Sequence, residues 1–393
     1  MEDKKYTLTE ETDAEIFEEE APLRPRVGDI RIKKCNGAKE GDKTHLIALL
    51  SVMIFVFTII IALLLVLCRN VNFPSGDESG GDATGEPSVA EPLNPDSPGS
   101  AAVKDYREKP LIEINKNADE SATAYRPTGD AEVAIEGITS DGALLYDLTT
   151  GKIVAGKNID EKMEIASMTK VMTLIVACDL IKSGDMYKAV KLTYDERSLS
   201  GYSTCYINKN NTPETVYVID MLYGLILESG ADCAYGLASG LAGSEAAFVQ
   251  KMNEKAAALG MSNTNFNNCV GKDDYGKNYS TMRDVATMMN YAMQNALCYK
   301  ILTSDKWTPV GDYAYAHLSD GTYVVKSMVH AGIKKQNIGS VSFLGGKSGN
   351  EINAGYCLVS AGKYSGKTYI CVTAGHASNS YVDTAYVYKN YVK

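Results

Sequence analysis

Ser167 and Lys170 stand three residues apart in "EIASMTKVMTLIVACDLIKSG", residues 164 to 184, at the head of a strongly apolar stretch. Residues three apart are neighbours on one helical face. A serine hydroxyl is a weak nucleophile until a base removes its proton. A lysine amine serves as that base only when burial lowers its pKa. The following Val171, Met172, Leu174, Ile175 and Val176 supply such burial, and the helix start favours negative charge developing at Ser167. The same stretch also suits a buried helix carrying a snorkelling lysine, because Ser-x-x-Lys on its own has little specificity.

Two further motifs follow in order, Ser229-Gly230-Ala231 and Lys347-Ser348-Gly349. Ser229 is placed to relay a proton between Lys170 and a leaving amine. Lys347 and Ser348, expected at the start of an edge strand, can hold a substrate carboxylate by charge and hydrogen bond. The backbone N–H groups of Ser167 and Asn350 can form an oxyanion hole. Each motif has a structural alternative: Ser229-Gly230 as a helix break, Lys347 as a solvated lysine at a strand end. Together and in order they are far more specific.

The elements that must position these groups are legible from pattern. "GALLYDLTTGKIVAG" reads as two short strands around a Thr-Thr-Gly turn. The quoted helix follows and is expected to close at Ser183-Gly184. "VIDMLYGLILESGADCAYGLASGL" is helical with a break at Ser229-Gly230. The next helix has Ser244 as N-cap and Gly260 as its stop, and another opens with a Thr281…Asp284 capping box and carries methionine as core filler. A hairpin over 354–374, turning near 363–366, and a tyrosine-rich helix near 379–391 close the chain. Strands at both ends with helices between predict one sheet built from the two ends of the body, with helices packed over it.

Bulk properties set the surroundings. A net charge of -10 over 393 residues argues against a nucleic-acid partner. Residues 1–45 form an acidic, then basic, tail; the first 20 carry nine acidic groups. Residues 46–68, "LIALLSVMIFVFTIIIALLLVLC", hold no charge, and about 20 apolar residues suffice to span a bilayer. Arg24, Arg26, Arg31, Lys33, Lys34, Lys39 and Lys43 precede the run and only Arg69 follows closely, which places the N-terminus in the cytoplasm and the body outside. Residues 69–132 read as a flexible external linker, rich in Gly, Pro, Ser and acid, and 133–393 as the folded body. Seven cysteines lie beyond Cys68, an odd set without tight spacing that suits buried thiols better than a disulfide framework. A symmetric hairpin register would set Cys357 opposite Cys371, as two packed thiols or, less favourably, as a bridge.

With its three motifs in place, the sequence resembles the low-molecular-mass penicillin-binding D-alanyl-D-alanine carboxypeptidases of the penicillin-binding and serine β-lactamase superfamily. The resemblance runs from about Ile138 to the C-terminus, through "LLYDLTTGKIVAGKNIDEKMEIASMTKVMT", "VIDMLYGLILESGADCAYGLA", "LGMSNTNFNNCVGKDDYGKNYSTMRDVATM" and "GGKSGNEINAGYCLVSAG". It implies an α/β (α+β) fold with a mainly antiparallel sheet between helical layers and an active site at the sheet edge. It also implies Ser167 as nucleophile, Lys170 as base, Ser229 as relay, and Lys347 with Ser348 and Gly349 as the substrate-carboxylate site. Peptidoglycan stem peptides would be the substrate, β-lactams covalent inhibitors, and no cofactor or metal is required. Ala231 departs from the family's usual asparagine, and Ser348 replaces the more usual threonine.

Three other functions compete. Ala231 leaves open a catalytically weak penicillin-binding or wall-peptide-sensing protein. A β-lactamase would want a glutamate to activate water, yet Glu245 and Glu254, the only glutamates between Ala231 and Lys347, sit on what reads as a surface helix. A zinc peptidase fits poorly, since His317, His330 and His376 are isolated, and no G-x-S-x-G elbow is present for a Ser-His-Asp hydrolase.

Overall fold

Gly142–Asp147 is buried at every residue, so this strand needs cover on both faces of whatever sheet contains it. In the computed structural model, which describes residues 125–393 apart from 183, 193–198, 208–212, 273–276, 312 and 314–322, it lies inside a six-stranded sheet. The strands are β1 (Val133–Ala134), β2 (Gly142–Asp147), β3 (Lys152–Lys157), β4 (Ser342–Glu351), β5 (Gly355–Tyr364) and β6 (Lys367–Ala374). Their order is β1-β3-β2-β6-β5-β4, antiparallel except for the short β1–β3 pairing. Strands from the start and end of the body therefore meet at β2–β6, with Leu145 opposite Cys371.

Between the two groups of strands come α1 (Thr169–Leu180), α2 (Val218–Leu227), α3 (Ala231–Ala242), α4 (Glu245–Ala258), α5 (Met282–Gln294), α6 (Ala296–Leu302) and α7 (Met328–Ile333); α8 (Ser380–Tyr391) ends the chain. Side chains alternate across a strand. Leu144 and Tyr146 accordingly enter the large core beneath the helices with Val359, Ile370 and Val372. Ala143 and Leu145 enter a smaller core under α8, with Tyr369, Cys371, Val387 and Tyr388. α1 runs through the large core with ten of its twelve residues buried, the condition of a helix apolar on every side.

Several expectations need correction. α1 stops at Leu180, where Ile181 turns extended; it does not reach Gly184, and Ser183 lies outside the described residues. The folded body begins before 133: Tyr125 is buried, its carbonyl accepts from Asn290, and Arg126 pairs with Asp284. Thr281 caps α5 by accepting the Asp284 N–H, but the Asp284 carboxylate turns to Arg126, Asn263 N–H and Thr264 and accepts no bond from the Thr281 N–H, so the reciprocal half of the capping box is not formed. The β5–β6 hairpin turns on Ser365-Gly366, both at positive φ, so Cys371 stands opposite Ser360. Cys357 belongs to the large core and Cys371 to the small one, so these free thiols lie on opposite faces of the sheet. The expected span 46–68, with its tail and most of the linker, lies outside the described residues; among these no helix is long and apolar enough to cross a membrane.

The small core is locked by Asp383 on α8, 4% exposed, whose carboxylate accepts from Ser140 N–H (2.7 Å), Ser140 Oγ (2.7 Å) and Thr139 Oγ1 (2.9 Å). Hydrogen bonds to a charged group are stronger than neutral ones, and truncation strands buried donors. We expect Asp383→Ala to lower stability by about 3 kcal/mol in urea unfolding; a change below about 1 kcal/mol would show that water replaces the carboxylate.

Candidate active site

Ser167 lies on a 3-10 turn, Ala166–Met168, that leads directly into α1. Lys170 is the second residue of α1 and points back along the helix, the direction side chains take there. Its Nζ donates to Ser167 Oγ at 2.9 Å and to the Val270 carbonyl at 2.8 Å. Lys170 is 3% exposed, and burial pulls its pKa down to about 8, against the opposing charges of Glu351 and Asp232. Ser167 is only half-buried, so the hydroxyl is reachable while its partner is dry.

The Val270 carbonyl is held by a set of asparagine bonds. Asn268 Oδ1 accepts from the N–H groups of Val270 and Gly271. Asn278 Oδ1 accepts from Asn267 and Asn268, and its Nδ2 donates to Thr169 Oγ1 on α1 at 3.0 Å. Thr173, one turn further along, donates to Cys269 O at 2.6 Å. The loop can approach the nucleophile turn this closely because residue 271 is glycine: at φ +85°, a Cβ there would lie 2.0 Å from the Ala166 carbonyl oxygen.

The second motif occupies the break between α2 and α3. Ser229 adopts φ +60° and is 6% exposed. Its hydroxyl lines the cleft but makes no hydrogen bond to Ser167 or Lys170, so the relay contact expected from the sequence is not formed in the resting structure. Ala231 lies beside it, its N–H donating to Ser203 O at 2.8 Å. Asp232, 1% exposed, accepts from the N–H groups of Cys205, Tyr206 and Ile207 and so fixes the segment that brings Tyr202 and Ser203 to the cleft.

The third motif lies in the middle of edge strand β4, not at its start. Gly349 packs against the nucleophile turn; a Cβ there would sit 2.9 Å from Ser167 N. Ser348, Gly349 and Asn350 form one wall of a cleft of about 380 Å³ whose floor is Ser167 and Lys170. Lys347 is behind that wall, 1% exposed, with Nζ donating to Ser348 O at 2.6 Å. It is the opposite of a solvated strand-end lysine, and burial first, then the charge of Lys170, pushes its pKa well down. The mouth is crossed by Lys272 and Glu351, paired at 3.2 Å with side chains 18% and 16% exposed.

The sequence pattern of the family described as D-alanyl-D-alanine carboxypeptidase matches residues 129–378. The chain belongs to this family. A D-alanyl-D-alanine carboxypeptidase of a Streptomyces species is 30% identical over 248 residues, 59% of this chain and 79% of that protein. The carboxypeptidase DacF of Bacillus subtilis is 36% identical over 147 residues, 37% of each. DacC of Escherichia coli is 35% identical over 174 residues, 42% of each. The chain thus spans less than half the length of the last two. Penicillin binding protein 5 of Haemophilus influenzae superposes with a TM-score of 0.54 at 26% identity, over 64% of this chain and 69% of that one. A penicillin-binding protein of Listeria monocytogenes, in its ampicillin-bound form, superposes with a TM-score of 0.53 over 65% and 95%; at 21% identity it speaks for the fold alone. The α+β architecture drawn from the sequence is therefore that of the family.

Residues outside the three family motifs complete the cleft: Tyr202, Lys272, Met328, Glu351, Tyr356 and Tyr381. Only Glu351 carried a sequence signal, a carboxylate two residues past the third motif. Glu245 is less ordinary than its helix suggested, since its Oε1 accepts from Cys269 N–H, but it does not line the cleft. His330 pairs with Ser327 and His376 with Asp141, while His317 lies outside the described residues. We expect Asn278→Ala, which removes five hydrogen bonds to the loop and α1, to cost about 2–4 kcal/mol in urea unfolding; an unchanged midpoint would mean the loop is held by packing alone.

Proposed function

We propose that this chain is a membrane-anchored serine D-alanyl-D-alanine carboxypeptidase that removes the terminal D-alanine of peptidoglycan stem peptides. The observation that carries it is the 2.9 Å bond from a buried Lys170 Nζ to an accessible Ser167 Oγ, set against edge strand β4. Neutral Lys170 takes the hydroxyl proton as Oγ bonds to the carbonyl carbon of the penultimate D-alanine. The C–N bond then breaks, and the departing amine of the terminal D-alanine receives a proton through Ser229, which has to come within hydrogen-bond reach of Lys170 for this step. Water next attacks the ester, returning Ser167 and releasing the shortened peptide. The N–H groups of Ser167 and Asn350 receive the oxyanion. Ser348 presents its hydroxyl to the terminal carboxylate, and Lys347 acts from behind as a buried positive charge rather than by direct contact. β-Lactams would acylate the same serine. The apolar run 46–68 and its basic N-terminal flank support a single-pass anchor with the catalytic body outside the cell and a linker between them.

Ala231 supports a second reading, a weakly catalytic protein that binds wall peptides or β-lactams. Its methyl group stands in the cleft where the family's asparagine would offer an amide. A β-lactamase is less favoured: Glu351, the cleft's own glutamate, is engaged by Lys272.

Two measurements on the full-length chain in detergent separate these. With a fluorescent penicillin, we expect covalent labelling of the parent and none of Ser167→Ala; labelling of neither would favour the binding protein, and rapid hydrolysis of a chromogenic cephalosporin would favour the β-lactamase. The second is the pH dependence of acylation. Lys170 is the base only when neutral, and with its pKa lowered to about 8 the rate should rise with pH and level off above about 8. Below that it should fall about tenfold per pH unit. A flat profile between pH 6 and 9 would exclude Lys170 as the base.

A further inference from the structure

Tyr381 is the second residue of α8 and lines the catalytic cleft with Ser348. Its ring is seated over α7 in a notch that glycine leaves open: a Cβ on Gly332 would lie 2.5 Å from the ring carbons Cε1 and Cζ. So placed, the phenol is joined to Ser348 by a side-chain hydrogen bond. It also donates to the Met328 carbonyl at 3.5 Å, the long and weak end of the hydrogen-bond range. Burial raises its pKa, against that Ser348 bond, so the phenol keeps its proton and remains a donor. Three elements, α7, β4 and α8, thus meet at one hydroxyl that the acylation steps do not use.

The surrounding wall is short of free cationic donors. Among the described residues no arginine lines the cleft, and Lys170 and Lys272, which do, are engaged with Ser167 and Glu351. Lys347 directs its Nζ to Ser348 O from behind the strand. A carboxylate delivered to Ser348 brings two oxygens with about four acceptor positions. Ser348 Oγ meets one of these, and the phenol bonded to it is placed to meet another.

We propose that Tyr381 is a specificity-determining residue: its hydroxyl joins Ser348 in binding the free carboxylate of the terminal residue, and so favours substrates that end there over those that are capped or continue. The inference rests on the carboxypeptidase reading and names a residue that makes it an exopeptidase. A hydroxyl bonds a charged oxygen at about 2.5–2.7 Å and about twice as strongly as a neutral one. The phenol would therefore exchange its 3.5 Å bond to Met328 O for a stronger one when the carboxylate arrives. An amide at the same place, whether a cap or the next peptide bond, is uncharged and forfeits that gain.

The test compares release of D-alanine from diacetyl-L-lysyl-D-alanyl-D-alanine with release of D-alanine amide from the same peptide amidated at its C-terminus. The proteins are the full-length chain and its Tyr381→Phe variant, which keeps the ring over Gly332. We expect the substitution to lower kcat/KM for the acid about tenfold or more, chiefly through KM, and for the amide about threefold or less. The acylation rates of Ser167 by benzylpenicillin and by its methyl ester should show the same loss for the acid alone, and this pair decides the matter if the amide is not turned over. Equal losses on acid and uncharged probe would make Tyr381 a packing residue, and an undiminished rate on the acid would show that the carboxylate does not reach it. Either result overturns the proposal. Release from neither peptide by the parent would overturn the carboxypeptidase reading, and the two penicillins would then still show whether Tyr381 reads a carboxylate. Acylation by neither penicillin as well would overturn both.

Discussion

Everything in this cleft depends on keeping one amine dry. Lys170 has to be neutral to act on Ser167, and in water it would be charged at any physiological pH. The protein removes water from it with the large core on one side and the 268–271 loop on the other, leaving two acceptors, Ser167 Oγ and Val270 O. That enclosure explains features otherwise unconnected: a helix buried on all sides, a glycine at 271 that admits the loop, and the asparagine pair behind it. Lys347 adds a second buried amine, and burial first, then the charge of Lys170 in the same desolvated region, holds its pKa down. A substrate carboxylate arriving at Ser348 would relieve that repulsion by stabilising the charge on Lys347, leaving Lys170 the neutral partner.

Ala231 stands where the sequence resemblance leads one to expect an asparagine. The backbone that would aim such a side chain is nonetheless well fixed. The break between α2 and α3 still holds Ser229 at positive φ, and Asp232 still fastens the Tyr202–Ile207 segment through three backbone N–H groups. With Ser229 so held, Tyr202, Lys272 and Glu351 line the cleft beside Ala231 and offer an aromatic ring and two charges there.

The sequence disclosed the elements well and their depth badly. Hairpin β2–β3, the break at Ser229-Gly230, the Ser244 and Thr281 caps and the final helix follow from local chemistry that acts over a few residues, and all stand as read. Lys347 is deeper than "GGKSGN" suggests, because nothing there says that other elements will cover it; the nucleophile turn, far away in sequence, and helices α6 and α7 pack on its strand. The first residues of the body were missed because Tyr125 and Arg126 are tied to Asn290 and Asp284, more than 150 positions on. The Cys357–Cys371 register failed by a shift of the turn to Ser365-Gly366, and in a strand a small shift is enough to exchange one face for the other. The loop that fixes Val270 is similarly silent: its asparagines read as ordinary turn formers until α1 is beside them.

The strand order has a consequence for how the protein comes into being. β2 and β3 are made early, but the partners that complete the sheet, β4 to β6, come from the last 52 residues of the chain. Contacts of such sequence separation form slowly, since a long loop has to close before they give any return. While the chain is emerging, the nucleophile helix can collapse with its helical neighbours, but the wall formed by Ser348, Gly349 and Asn350 does not yet exist. The serine is thus unassembled for as long as the chain is incomplete. The proposed acylation becomes possible only after the β5–β6 hairpin has docked and α8 has closed over it.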